Sequence, residues 1–232
     1  MCTVVVRRSG GRPAEILAVR DEMTSRDFDD PGRWWPHVPD VVGGRDHVAG
    51  GTWCATHVGT GATCLVLNRY HERAAAPGAA SRGVLPLLGA VHGSGWTEHV
   101  ELAGMAGFLL VLATVDRLTS WEFDGERLDQ VEHAEGTTLF TSGGPEDRKA
   151  DRWAAAFAGA AFPAAWRGLV RQAPADDPSA LIVRHERDGR LYGTVFVEAI
   201  DARPGRLRLE HTRRPWSGEA WDTAVFGRDV DG

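Results

Sequence analysis

The chain has 232 residues, 43% hydrophobic and 25% charged, ordinary proportions for a globular protein long enough to bury a core without disulfides or a structural metal. A net charge of −6 speaks against a general nucleic-acid binder, and three cysteines, an odd number without paired spacing, exclude a disulfide framework. No apolar run reaches the roughly 20 residues of a membrane helix. Arg7 and Arg8 break the N-terminal apolar stretch, which is therefore no signal peptide; the expectation is a cytoplasmic protein of one domain, 1–232, with 214–232 as a C-terminal tail.

In chain order, residues 2–8 and 14–20 flank Ser9-Gly10-Gly11-Arg12, a hairpin signal, since glycine supplies the positive φ of tight turns. Residues 24–50, with Trp34-Trp35-Pro36, are too long for a routine connection and are expected to form a lid or binding loop. Residues 52–58 and 62–67 form a second hairpin around Gly59-Thr60-Gly61, and a helical stretch over 84–104 is broken by Pro86 and by Gly93-Ser94-Gly95. Strands follow from Gly107 to Thr141, with Asp124-Gly125 as a turn. Helix is predicted over 146–172, with Pro145 at its first position, Glu146 and Asp147 in its first turn, and Pro163 dividing it. Residues 180–186 and 190–200 flank Asp188-Gly189, and 205–212 form a last strand. Strands, then helices, then strands imply a layered α+β fold rather than parallel βαβ units.

Cys2 is the most informative residue. With Met1 removed, as is usual before a small second residue, it carries a thiol and a free α-amine, a nucleophile and a base whose reference pKa values, about 8.5 and about 7.7–8.0, both lie near neutrality. A two-residue turn at Gly10-Gly11 sets Cys2 opposite Val19 with Asp21 diagonal on its face; a slip of one residue sets it opposite Arg20 instead. In either register an Arg and an Asp emerge beside the N-terminus, where a guanidinium favours thiolate and a carboxylate holds a proton.

The opening Met-Cys-Thr, Leu17-Ala18-Val19-Arg20-Asp21-Glu22 and Ser25-Arg26 resemble the NRDE (Transport and Golgi organization protein 2-like) family, named for Asn-Arg-Asp-Glu. Gly43-Gly44-Arg45-Asp46, Gly50-Gly51-Thr52-Trp53, Asn68 and Ser81-Arg82-Gly83 match in order, and Trp121, Asp124-Gly125, Gly136 and Thr141-Ser142-Gly143 follow more loosely. The resemblance implies an N-terminal-nucleophile hydrolase fold, a four-layer αββα sandwich of two antiparallel sheets between helices. It further implies a cysteine amidase or acyltransferase acting on an amide or thioester: Cys2 as nucleophile, Arg20 tuning the thiol or engaging substrate, Asp21 orienting the amine and Asn68 either supporting the site from behind or serving the oxyanion. Arg82 and Ser142 are assigned by it to substrate binding. Val19 stands where the family has its name-giving Asn, and Ser142-Gly143 stand near the related amidases' oxyanion Asn. The family has also been linked to haem, acyl and lipid handling, so the alternative is a non-catalytic carrier or trafficking protein using the same pocket.

Trp34, Trp35, Trp53 and Trp96 are placed as the lining of an apolar pocket for a small-molecule substrate or hydrophobic ligand, whereas Trp121, Trp153 and Trp166 are assigned to the core. His37, His47, His57 and His71 lack His-x-x-x-His spacing, and His92 and His99, seven apart, share a face of a helical segment; no metal is expected, and no cofactor. Neither a Gly-x-Ser-x-Gly elbow nor a phosphate-binding glycine pattern is present. Cys54 and Cys64, on the two strands of the second hairpin, are expected to be neighbouring core thiols, with a redox pair as the other reading.

Overall fold

The structure, a computed structural model, describes residues 2–69, 75–144, 147–174, 177–187 and 189–227. Met1, His71, Pro145, Glu146 and Asp188, which enter the expectations above, lie outside the described residues, as do 228–232.

Two antiparallel sheets form the frame. Strands β1 (Thr3–Arg8) and β2 (Glu15–Met23) make the first hairpin, and β3 (Val41–Gly43), β4 (Cys54–His57) and β5 (Thr63–Asn68) begin the second sheet. Helix α1 (Leu85–His92) leads through a 3-10 segment into β6 (Phe108–Ala113), β7 (Leu118–Phe123), β8 (Leu128–His133) and β9 (Gly136–Thr141). Then come α2 (Lys149–Gly159), α3 (Ala164–Val170), β10 (Arg184–Arg187), β11 (Arg190–Arg203), β12 (Arg206–Arg213) and β13 (Asp222–Gly227). The seven-stranded sheet runs β13-β12-β11-β2-β1-β9, with β10 also on β11; the six-stranded sheet runs β3-β4-β5-β6-β7-β8. No described helix is long and apolar enough to cross a membrane.

The apolar strands are buried on both faces. In β1, Val4 and Val6 join Ile16, Ala18, Leu65, Leu67, Val111 and Ile200 in a seam between the two sheets. Val5, Leu17 and Val19 point the other way, beneath α2 and α3. Lys149, Trp153 and Phe157, at i, i+4 spacing, are the buried stripe of α2. Leu85, Ala90 and Trp96 cover the outer face of the second sheet through Ala55, Cys64 and Leu110. Continuous Val-Val-Val and Leu-Leu-Val-Leu runs, rather than strict alternation, are what strands covered on both sides require. The outermost strand β8 carries the charged run Leu-Asp-Gln-Val-Glu-His, as an exposed edge should.

Two open readings, the register of the first hairpin and the relation of Cys54 to Cys64, are decided, and two expectations are corrected. The first hairpin pairs Thr3, not Cys2, with Val19, so the register is slipped by one residue from that of a two-residue turn. Ser9 accepts from Arg12 N–H and Pro13 has no N–H to donate, which lengthens the loop. Residues 24–50 are not a free lid, because the bridges Phe28–Asp46 and Gly32–Gly43 fold the segment on itself and β3 adds it to the second sheet. The segment after 213 holds a 3-10 turn at Pro215–Ser217 and then β13, paired antiparallel with β12. Finally, Cys64 lies opposite Ala55 and Cys54 opposite Leu65, so the two thiols point to opposite faces of one sheet and form no redox pair.

Gly89 shows how tightly α1 sits on its sheet: a Cβ there would run into Cys64 Sγ. Helix propensity favours alanine over glycine by about 1 kcal/mol, but overpacking costs about 1–3 kcal/mol. Gly89→Ala is therefore expected to destabilise the protein in urea titrations and to lose most of that cost in a Cys64→Ala background; additive effects of the two substitutions would refute the contact.

Candidate functional site

The slipped register decides the site. Cys2 precedes β1 on the face that carries Val4 and Val6, and Arg20 of β2 shares that inner face, whereas Asp21 points to the outer one. Ser142 closes the start of the strand: its N–H donates to Cys2 O at 3.0 Å and its Oγ accepts from Cys2 N at 3.2 Å. The Cys2 thiol donates to Asp21 O at 3.6 Å.

Arg20, only 7% exposed, is the buried cation of this face. Its Nη2 donates to Asp46 Oδ2 at 3.2 Å, and its guanidinium carbon lies 4.3 Å from the Trp53 ring centre and 5.0 Å from that of Phe28. Its Nη1 has no hydrogen-bond partner among the described residues. Asp46 is a hub: Oδ2 also accepts from Arg26 Nε at 2.6 Å, and Oδ1 accepts from Arg26 Nη2 and from the N–H groups of Val48 and Ala49. Burial works to raise the Asp46 pKa, and the Arg26 and Ala49 hydrogen bonds with the charges of Arg26 and Arg20 outweigh it, leaving the carboxyl below its ordinary range.

A cavity of about 120 Å³ opens here, lined by Cys2, Arg20, Asp46, Trp53, Asn68 and Arg82 among others. Its rim is a close backbone crossing, since Thr52 N–H donates to Gly83 O at 2.9 Å and a Cβ on Gly51 would strike Gly83. Gly44 leaves room for the Trp53 ring. The glycine-rich motifs are thus places where backbone or an indole must come close. Asn68 ends β5 within the cavity wall, and its amide has no partner among the described residues. Arg82 is held by Gly107 O, 2.8 Å from its Nη1.

Asp21 is 5% exposed and accepts from Thr194 Oγ1 at 2.6 Å. Burial raises its pKa, with Lys149 and the Thr194 hydroxyl pulling it back. Burial also pushes the Cys2 thiol up, the Asp21 carboxylate adds to this, and Arg20 opposes it more weakly. The thiol is thus protonated at neutral pH, and reaction there requires a base.

Of the residues singled out from the sequence, Cys2, Arg20, Asp21, Asn68, Trp53 and Arg82 meet at this cavity and Ser142 adjoins it. Trp34, Trp35 and Trp96 do not. Trp34 lies under Arg45 with its Nε1 on Asp30 O; Trp35, its Nε1 on Gly50 O, and Trp96 pack in the core beneath α1. His92 and His99 stack ring on ring, 3.6 Å between centres. Among the described residues no three His, Cys, Asp or Glu side chains are grouped to hold a metal. Sequence reasoning passed over Asp46, although it stands in a matched motif, and Glu198, which no motif flags.

Glu198, on the inner face of β11, is 2% exposed and accepts from Trp53 Nε1 at 3.3 Å. Burial raises its pKa to about 7, against lowering hydrogen bonds from Cys54 and Trp53.

Among known proteins, the family model for Transport and Golgi organisation 2 matches residues 1–158, which include every residue of the cavity wall named above. No curated protein matches the chain.

The Glu198 carboxyl sets a pH dependence of stability. Between about 4.5 and about 7 the folded state keeps a proton that the unfolded chain releases, so raising pH through that window destabilises the fold, by at most roughly 3 kcal/mol. Asp21, also raised, acts in the same direction. Denaturant titrations at pH 5 and pH 8 are expected to show the lower stability at pH 8, and Glu198→Gln is expected to remove most of the difference; an unchanged difference in that variant would place its origin elsewhere.

Proposed function

The chain belongs to the Transport and Golgi organisation 2 family, and on that premise we propose that it is an N-terminal-nucleophile domain of the four-layer αββα type in which Cys2 is the nucleophile of an amide or thioester hydrolase or acyltransferase. The observation that carries this reading is the meeting of Cys2, Asn68 and the buried Arg20 at one cavity. The burial of apolar side chains between two sheets and on both their outer faces supports the fold assignment.

In this reading Met1 is removed and Cys2 bears a free amine. The thiol proton passes to that amine as Sγ bonds to the substrate carbonyl carbon, and the carbonyl π pair moves onto oxygen, where the Asn68 amide donates to it. Collapse of this intermediate breaks the bond to the leaving nitrogen or sulfur, which takes the proton back from the ammonium. Water, deprotonated by the same amine, then releases the acyl group and restores the thiol. Ser142 Oγ, 3.2 Å from Cys2 N, is the group that would hold the amine. A thiol kept protonated by burial suits this order of events, because the proton leaves only as the new bond forms.

A cavity of about 120 Å³ is below the roughly 300–1,000 Å³ of pockets that engulf a drug-sized ligand. It favours a scissile group reaching in over an enclosed porphyrin or lipid. The test is mass spectrometry of the intact chain after timed iodoacetamide labelling, followed by turnover assays on a panel of amides and thioesters. Met1 is expected to be absent and Cys2 to react ahead of Cys54 and Cys64, whose thiols burial raises further. Turnover is expected to vanish in Cys2→Ala and to fall about 10²–10³-fold in Asn68→Ala. Retention of Met1, or a Cys2 no faster than the core thiols, refutes the mechanism; a Cys2→Ala protein that still binds and serves its role points to a carrier.

A further inference from the structure

We infer that Glu198 is a positioning residue of the Cys2 cavity, holding the Trp53 indole as the plate on which the Arg20 guanidinium rests. Glu198 does not line the cavity; it acts through two contacts in series. The first is the hydrogen bond from Trp53 Nε1 to Glu198 Oε1, 3.3 Å long and part-buried between the sheets. An indole N–H withdrawn from water needs an acceptor, and Glu198, itself buried, supplies it to the half-buried Trp53. The second is the guanidinium of Arg20, 4.3 Å from the ring centre.

The ring has little freedom between these contacts. Phe28 and Phe196 meet it edge-on at 5.2 and 5.6 Å, and Gly44 leaves only enough space for its far edge. A lost hydrogen bond at one end therefore passes to the guanidinium at the other. A glutamine would satisfy the indole equally well, at a smaller cost of burial. The carboxyl adds a charge that can change, beside a buried cation that already shares Asp46 with Arg26. The other titratable or charged groups on the faces packed around Glu198 are the Cys54 thiol of β4, Arg20 of β2, and His211 and Arg213 of β12. Burial lowers the His211 pKa from its ordinary value, and Arg213 is paired with Asp30. Glu198 is thus the member of this group placed to alter the field at Trp53 and Arg20 near neutral pH.

The consequence is read at the Cys2 thiol, in an inference that rests on the Cys2 cavity being the working site but not on any reaction there. The rate of Cys2 alkylation by iodoacetamide is followed by peptide mass spectrometry from pH 5.5 to 9 in the full chain, with Cys64, on the other face of its sheet, as the internal control. The wild-type profile is expected to show an inflection near pH 7 in addition to the titration of the thiol. Glu198→Gln keeps an acceptor for the indole and is expected to stay within about twofold of wild type at pH 6 while losing that inflection. Glu198→Leu and Trp53→Phe are each expected to slow Cys2 at least fivefold at pH 8, and the double variant no more than either alone, since the two act through one contact. Unchanged Cys2 rates in Glu198→Leu with Cys64 still protected, or the same inflection in Glu198→Gln, overturn the inference. Equal acceleration of Cys2 and Cys64 also overturns it, because it marks a loosened core. Should Glu198→Leu fail to fold, the Glu198→Gln profile decides alone. Because alkylation needs no substrate, these outcomes are independent of whether turnover is found.

Discussion

Arg20 puts a full positive charge in the seam between two sheets, and most of what surrounds the cavity follows from keeping it there. A cation withdrawn from water loses several kcal/mol of solvation unless geometry restores it. Here the restoration is divided. Asp46 accepts one arm, Glu22 stands 3.8 Å from it, and two aromatic faces take the plane of the guanidinium. Lysine would not serve, because only a planar, weakly hydrated cation can stack on two rings while donating sideways. Asp46 in turn is held by two backbone N–H groups and by Arg26. The Gly-Gly-Arg-Asp and Gly-Gly-Thr-Trp segments thus supply the anion, the aromatic face and the close backbone approaches that one buried arginine requires.

The same constraint explains why a single residue of register matters. In the two-residue-turn register Cys2 and Asp21 would share a face, and the thiol would lie beside a carboxylate beneath α2. With Thr3 opposite Val19, the thiol shares the inner face with Arg20, and Asp21 is turned to the outer face to meet Thr194. Cys2 is therefore set between a cation on its own face and an anion behind its sheet. Burial dominates its thiol, and the two charges oppose each other around it.

Strand and helix positions were largely legible in the sequence, since β-branched runs bounded by glycine and the i, i+4 stripe of α2 are local signals. Strands β3 and β13 were not, because three residues in a polar loop and a half-exposed edge carry no period of their own; each exists only because a neighbouring strand offers an unpaired edge. The residues that meet at the cavity were legible where a motif names them. Trp34, Trp35 and Trp96 misled because an indole suits a pocket and a core equally, and composition cannot separate them. Glu198 was invisible for a related reason: in Val195-Phe196-Val197-Glu198-Ala199-Ile200 one acidic residue looks like the polar face of a strand. Only the second sheet, laid over that face, turns it into a buried carboxyl.

Two carboxyls, Asp21 and Glu198, stand on opposite faces of the first sheet, each less than 6% exposed and each raised by burial. Neither is what stability alone would select, since an apolar residue in the same space would avoid the desolvation cost that both bear. Along β11 Glu198 sits between Val197 and Ala199 and interrupts an apolar run, whereas Asp21 sits between Arg20 and Glu22 in a charged one. Both lie toward the end of the sheet where Cys2 begins β1. Buried charge stands elsewhere too, at Arg8, Lys149 and Glu210, and there as here it persists where a partner offsets the lost solvation.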